Sequence, residues 1–458
     1  MTKNLLEKTI EAPAQALDRS VEQSMKMVSK VQGNGANPLK KARDYWYLLG
    51  PGLTTGASDD DPSGIATYSQ TGAQYGFGLL WMAAFTFPLM AVVQEMCARI
   101  GLVTGRGLAG NIKAHFSKKI LYTSALFLFA ANTFNIGADI GAMANAIQLI
   151  SPRLNFSMLV VGFTIFILLL QVFTPYVKYA RYLKWLALVL FAYILSAILA
   201  HPDWHTVIKH AALPHITFSK QQLLLICAVL GTTITPYLFF WQTSQEIEEE
   251  IAVGQTTVKQ RMGSDHQQIK KMRIDVWSGM FLSNIVMFFI IAACASVLFT
   301  HGVTNINTAA QAAQALRPFA GNATYWLFAI GILGMGLLAI PVLAGSSAYA
   351  ISESMGGRRQ GLSNKLKQGY SFYGIIIISM FVGLGLNFIG LNPIKALIYS
   401  AVLNGIVAPI ILVLILLLAS NKHVMGEWKN GKVSTTLGWF LTVIMSISGL
   451  AAIYALFP

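Results

Sequence analysis

Eleven stretches of this chain are each long and apolar enough to cross a lipid bilayer, and that pattern constrains the fold more than any motif does. Their limits lie near 45–68, 77–100, 120–150, 157–175, 182–200, 222–250, 274–300, 323–352, 371–390, 394–420 and 435–457. A spanning helix needs roughly 20 mostly apolar residues. The expected class is therefore an all-α integral membrane protein. Composition agrees: 55% of the residues are hydrophobic and 11% charged, where a soluble chain carries about 25% charged residues. A soluble enzyme, a disordered chain and a nucleic-acid-binding domain are excluded as first readings. The net charge of +14 is then a matter of loop topology.

That topology is strongly biased. Of the 33 Lys and Arg residues, all but five fall on one side if the chain threads the eleven stretches in turn; the five are Arg153, Lys209, Lys220, Arg317 and Lys395. By the positive-inside rule the N-terminus is expected in the cytoplasm and the C-terminus outside. The location this implies is a bacterial inner membrane. Nothing in the sequence demands more than a monomer.

Residues 1–44 read as a polar cytoplasmic tail, with no apolar leader and with Gly33, Gly35 and Pro38 marking a linker. A short amphipathic helix over 14–31 could lie on the lipid surface. The loop 201–221 carries His201, His205, His210 and His215. Without Cys or clustered carboxylates beside them they read as ordinary loop histidines. Cys97, Cys227 and Cys294 are odd in number and sit in apolar runs, so they read as small buried side chains.

Ionisable groups within a span are costly and functional by default. The first span carries Asp59-Asp60-Asp61-Pro62-Ser63-Gly64 in its middle. Pro62 removes an amide donor and Gly64 permits unusual dihedrals, so a break is expected near 59–64. A break frees carbonyls beside a carboxylate, which together make a cation site; a plain Pro kink leaves three acids unexplained. The sixth span has a matching defect at Gly231-Thr232-Thr233-Ile234-Thr235-Pro236-Tyr237. Two interrupted spans, five apart, point to a five-plus-five inverted repeat with the substrate between the breaks. The repeats would occupy 45–200 and 222–420 of a transporter domain over 45–457, with 435–457 as one extra helix. Further polar candidates are Glu95 in span 2, Asn132, Asn135 and Asp139 in span 3, and Asn404 in span 10. Glu95 and Asp139 could equally be structural partners within the bundle. Glu248, Glu249 and Glu250 read as a solvated helix end, with Glu246 one turn deeper and able to face a vestibule.

Gly50-Pro51-Gly52, Asp61-Pro62-Ser63-Gly64, Gly72-Ala73-Gln74-Tyr75-Gly76, Leu79-Leu80-Trp81 and Ala98-Arg99-Ile100-Gly101-Leu102-Val103-Thr104-Gly105 resemble the NRAMP family of divalent-metal transporters. The resemblance covers essentially all eleven spans. It implies a LeuT-like fold, alternating access and divalent-cation import. Family metal sites use Asp-Pro-Gly-Asn in span 1 and Met-Pro-His in span 6. Asp61 and Pro62 match, but Gly64 stands for the ligand Asn, Thr235 for the ligand Met and Tyr237 for the His. Thr232 falls where the family supplies a backbone carbonyl, and Asn135 where a proton-accepting Asp is usual. This pattern is similar to the NRAMP-related magnesium branch, as is Thr235-Pro236-Tyr237-Leu238-Phe239-Phe240-Trp241-Gln242.

The chemistry of these departures is consistent. A thioether favours transition metals, and its loss removes the incentive to prefer Mn²⁺ or Fe²⁺ over Mg²⁺. Smaller side chains make room for water, which Mg²⁺ gives up reluctantly. Asp61, Gly64, Thr232 and Thr235 are the expected metal site. Asp59, Asp60, Asn135, Asp139, Tyr237, Glu246 and Asn404 are candidates for the ion pathway. The expected function is uncoupled import of Mg²⁺, with Mn²⁺ also accepted, the ion being substrate and no cofactor being required. The alternative is a proton-coupled Mn²⁺/Fe²⁺ importer. An amino-acid carrier is disfavoured because three acids repel a carboxylate substrate. An intramembrane enzyme lacks a His-Glu-x-x-His or paired Asp motif, and a channel lacks a filter loop.

Overall fold

A computed structural model describes residues 50–173, 190–356, 361 and 369–456. The expected tail over 1–44, its amphipathic segment and the basic residues at 178–184 lie outside the described residues. Among those described, every regular element is helical. The long elements are α1 (Pro51–Asp59), α2 (Pro62–Tyr75), α3 (Trp81–Thr104), α4 (Lys118–Ile150), α5 (Phe156–Phe173), α6 (Phe191–Leu199), α7 (Lys220–Thr233), α8 (Pro236–Ala252), α9 (His266–Val297), α10 (Thr324–Met355), α11 (Tyr370–Leu386), α12 (Pro393–Ser420) and α13 (Lys432–Leu456).

Among the described residues, eight segments could cross a bilayer by length and hydropathy: α3, α4, α5, the α7–α8 pair, α9, the segment ending in α10, α12 and α13. Of the other three expected spans, the first falls on the polar α1–α2 pair, 371–390 on the shorter apolar helix α11, and only the end of 182–200, α6, lies within the described residues. Several ends differ from expectation. The first span continues to Tyr75 because its polar residues find partners: Thr71 Oγ1 donates to Thr67 O at 2.7 Å, and Gln70 Oε1 accepts from the Ile306 amide at 2.8 Å. α9 starts two turns early, at a capping box in which Asp265 and Gln268 satisfy each other's amides.

Both breaks have the same local cause. Proline has no N–H and drives the preceding residue into extended conformation. Asp61, before Pro62, has φ −63°, ψ 171°. Thr235, before Pro236, has φ −91°, ψ 137°. Each proline then occupies the first turn of a new helix, where its missing donor costs nothing.

The broken pairs sit at the centre. α1 and α2 pack on α9, α2 also meets α12, α7 lies between α12 and α13, and α8 touches α3 and α10. α4 packs against α10, α11 and α12. Two crossings bring backbones into contact. A Cβ on Gly56 of α1 would stand 2.3 Å from the Gly279 carbonyl of α9, and one on Gly231 of α7 would stand 2.1 Å from the Ala401 carbonyl of α12. Small residues allow such approach, and with lipid on the outside close packing is what holds helices together. The three cysteines are buried. In the loop 201–221, Asp203 caps a surface helix Trp204–Ala212, and His201, His205 and His215 are exposed.

Candidate functional site

The Asp61 carboxylate is the focus of the first break. It is 1% exposed and caps α2: Oδ1 accepts from the Gly64 amide at 2.7 Å and from Ser63 Oγ at 2.6 Å. Its other oxygen accepts from Asn135 Nδ2 of α4 at 2.8 Å. Asn135 is thus brought to the site as a donor. Capping answers a local need, since the first amides of α2 have no partner within the helix. Charge on Asp61 also sits where the helix dipole favours it.

The second break meets the first through small groups. Ser63 Oγ lies 3.4 Å from Thr232 Oγ1 of α7. A Cβ on Gly64 would stand 3.2 Å from Thr232 Oγ1 and 3.4 Å from the Asp59 carbonyl. Gly64, Thr232 and that carbonyl therefore share one wall. One residue on, Tyr68 and Thr233 join α2 to α7, hydroxyl to hydroxyl, at 3.0 Å. Thr235 is 1% exposed; its hydroxyl does not cap α8 and lies near the Tyr237 phenol. The Tyr237 phenol donates to the Ser58 carbonyl at 3.0 Å, tying α8 to the end of α1.

The other candidates divide. Asp59 and Asp60 turn toward α9: Ser283 Oγ donates to Asp59 Oδ2 at 2.6 Å and lies 3.5 Å from Asp60 Oδ1. Asp139, one turn beyond Asn135, is fully buried with neither oxygen accepting a well-formed hydrogen bond. Asn404 is likewise buried, and neither atom of its amide has a partner. Glu246 is buried and accepts from Gln242 Nε2 at 2.8 Å. Asn132 is a structural clamp, donating to Leu343 O, Ser346 Oγ and Ser347 Oγ of α10. Glu95 is also structural: it accepts from Trp277 Nε1 at 2.9 Å and pairs with Arg273 at 2.9 Å and Arg99 at 3.4 Å.

The solvated helix end expected at 248–250 is a correction. Glu249 is exposed, but Glu248 accepts from the Tyr349 phenol at 2.8 Å and Glu250 is buried close to Arg261. Sequence reasoning also missed Asp275 of α9. Its carboxylate accepts from the amides of Gly50, Gly52 and Leu53 at 2.8, 2.7 and 3.2 Å, so the start of α1 is capped from another helix. Ser63, Tyr68, Thr233 and Ser283 were missed as well. Among the described residues, no three or more His, Cys, Asp or Glu side chains are arranged to hold a metal. What the breaks assemble is one carboxylate with hydroxyl and carbonyl oxygens, a donor set suited to a hard cation.

The family profile described as "Nramp: Natural resistance-associated macrophage protein-like" matches residues 52–455. The "Divalent metal cation transporter MntH" of Klebsiella pneumoniae subsp. pneumoniae is 23% identical over 432 residues, covering 92% of this chain and 97% of the relative. The protein of that name from Caldanaerobacter subterraneus subsp. tengcongensis is 23% identical over 419 residues, with 90% and 93% covered. The crystal structure of an Eremococcus coleocola manganese transporter, in complex with an aromatic bis-isothiourea compound, superposes with TM-score 0.68 at 20% identity, covering 92% of this chain and 88% of the other.

Proposed function

The chain belongs to the Nramp family, whose curated members here are divalent metal cation transporters, and from that premise we propose that it imports Mg²⁺, and Mn²⁺ beside it, without proton coupling. Asp61, Gly64, Thr232 and Thr235 form the ion site. Asp61 gives the charge, Thr232 and Thr235 give hydroxyl oxygens, and Gly64 leaves space for the ion's water. Asp59, Asp60, Asn135, Tyr237, Glu246 and Asn404 border the route. The chain lies in a bacterial inner membrane with its basic face in the cytoplasm, and carries the ion by alternating access between the two repeats.

The observation that carries the reading is the buried hydroxyl of Thr235 beside Pro236, which does not cap the helix it precedes. An oxygen there suits Mg²⁺, which takes oxygen ligands at octahedral geometry and keeps several waters. A soft sulfur ligand would instead select a transition metal. Coupling is not required for accumulation. A dication entering down a potential of 100 mV gains about 4.6 kcal/mol, a concentration ratio of about 10³. An amide such as that of Asn135 does not titrate, and an ordinary phenol exchanges its proton only near pH 10. A proton-coupled Mn²⁺/Fe²⁺ importer is the second reading, favoured by the manganese transporter whose fold this chain shares and by Asp139 as a carboxylate near the site. Liposome uptake measured with a metal dye and a pH dye together separates the two.

A further inference from the structure

We propose that Asp139 supplies the second negative charge to the bound dication, through water, from the side of the site away from the basic face. This rests on Asp61 holding the ion, and adds a group that fixes the charge the site accepts. Asn135 and Asp139 are four residues apart on α4, and residues at that spacing lie on one helix face about 5–6 Å apart. Asn135 is anchored by its bond to Asp61 Oδ2. Asp139 therefore stands one turn further along the same face, beside the first turn of α2. The groups that act on it there are the Asp61 carboxylate and the Ser63 amide, not a cation.

Asp139 is 0% exposed; the Ser63 amide is the one donor near it, and neither oxygen accepts a well-formed hydrogen bond. A structural carboxylate in this bundle looks different. Asp275 accepts three amides, and Glu95 meets two guanidinium groups and an indole. Burying a charge with a single poorly placed amide beside it costs several kcal/mol, and a dication at Asp61 offsets that cost. The balance works from the ion's side too. Asp61 alone neutralises half of a 2+ charge, and the remainder is costly in a dry interior. A second carboxylate a helical turn away completes the neutralisation without displacing the waters Mg²⁺ retains. The unpartnered Asn135 Oδ1 and the buried Thr235 hydroxyl give those waters acceptors.

Beyond Asp139 the wall turns apolar. Ala142, three residues on, lines a small cavity with Ile65, Ala66, Ile306, Ala309 and Phe328. Asp139 thus marks the end of the charged part of the route on that side. It acts as a positioning residue for charge, since Asp61 makes the direct contact.

The test is isothermal titration of Mg²⁺ into the full-length protein in detergent, for wild type, Asp139→Asn, Asp139→Ser, Asp139→Glu and Asp61→Asn, each checked for a cooperative melt. Both neutral variants at 139 should bind Mg²⁺ at least 10-fold more weakly, the scale of a lost outer-shell partner, and Asp139→Glu should recover part of the loss. Wild-type affinity in the neutral variants that melt cooperatively, alongside lost binding in Asp61→Asn, overturns this inference and leaves the Asp61 site standing. Wild-type affinity in Asp61→Asn overturns the site itself. Neutral variants that bind normally but abolish metal-dependent acidification of liposomes make Asp139 a proton carrier, which also overturns the proposal.

Discussion

Replacing Asp61 in two ways separates its two jobs. The carboxylate caps α2 and, on the account above, holds the ion. Asp61→Ala strips acceptors from the Gly64 amide, the Ser63 hydroxyl and Asn135 Nδ2. A lost N-cap costs about 1 kcal/mol, and an orphaned buried donor about 1–3 kcal/mol more. The alanine variant should therefore lose on the order of 3 kcal/mol. Asp61→Asn keeps an amide oxygen for Gly64 and Ser63. Its new N–H₂ would face Asn135, whose Oδ1 has no partner, so a flip of that amide restores the bond. The asparagine variant should lose under about 1 kcal/mol yet transport no better than alanine. Losing an outer-shell partner of a metal costs about 10–100-fold, and losing the only charged direct ligand should cost at least ~100-fold. The assay pairs thermal unfolding in detergent with Mg²⁺ uptake into liposomes. Wild-type uptake in a well-folded Asp61→Asn protein would refute the reasoning.

Gly64→Asn with Thr235→Met should shift uptake toward Mn²⁺ over Mg²⁺, read as competing uptake of the two ions; an unchanged ratio counts against the assigned ligands. The asparagine Cβ would lie 3.2 Å from Thr232 Oγ1, so Thr232 must give by a few tenths of an ångström and overall uptake should fall. Asp275→Ala removes the acceptor for three amides at the start of α1 and should lower stability by about 2 kcal/mol, measured by thermal unfolding. Asp275→Asn should recover part of that, whereas equal stability of all three proteins would show the cap to be idle.

The breaks were legible because proline acts on its own neighbours. Pro62 and Pro236 set the extended residues before them, and no distant contact is needed for that. The apolar runs were legible for the same reason, since bilayer thickness acts on each separately. Partners across the bundle were not. Asp275 lies 223 residues from Gly52, and its place in α9 carries no local signal that it will cap α1. Ser63 sits in the Asp-Pro motif, but nothing local shows that α7 will place Thr232 beside it. Glu250 looked like a solvated end because spacing along α8 cannot reveal Arg261. Asp139 was visible as an acid within a span, but its burial beside the first turn of α2 emerges only from the packing of α2 on α4.

Mg²⁺ import without protons can be read in a single reconstituted assay. Purified protein is placed in liposomes holding a Mg²⁺ dye and a pH dye, with an inside-negative K⁺ diffusion potential imposed. Mg²⁺ should enter saturably and in response to the potential, with no internal acidification beyond protein-free liposomes. Metal-dependent acidification, or Mn²⁺ entry with no Mg²⁺ entry, would contradict it.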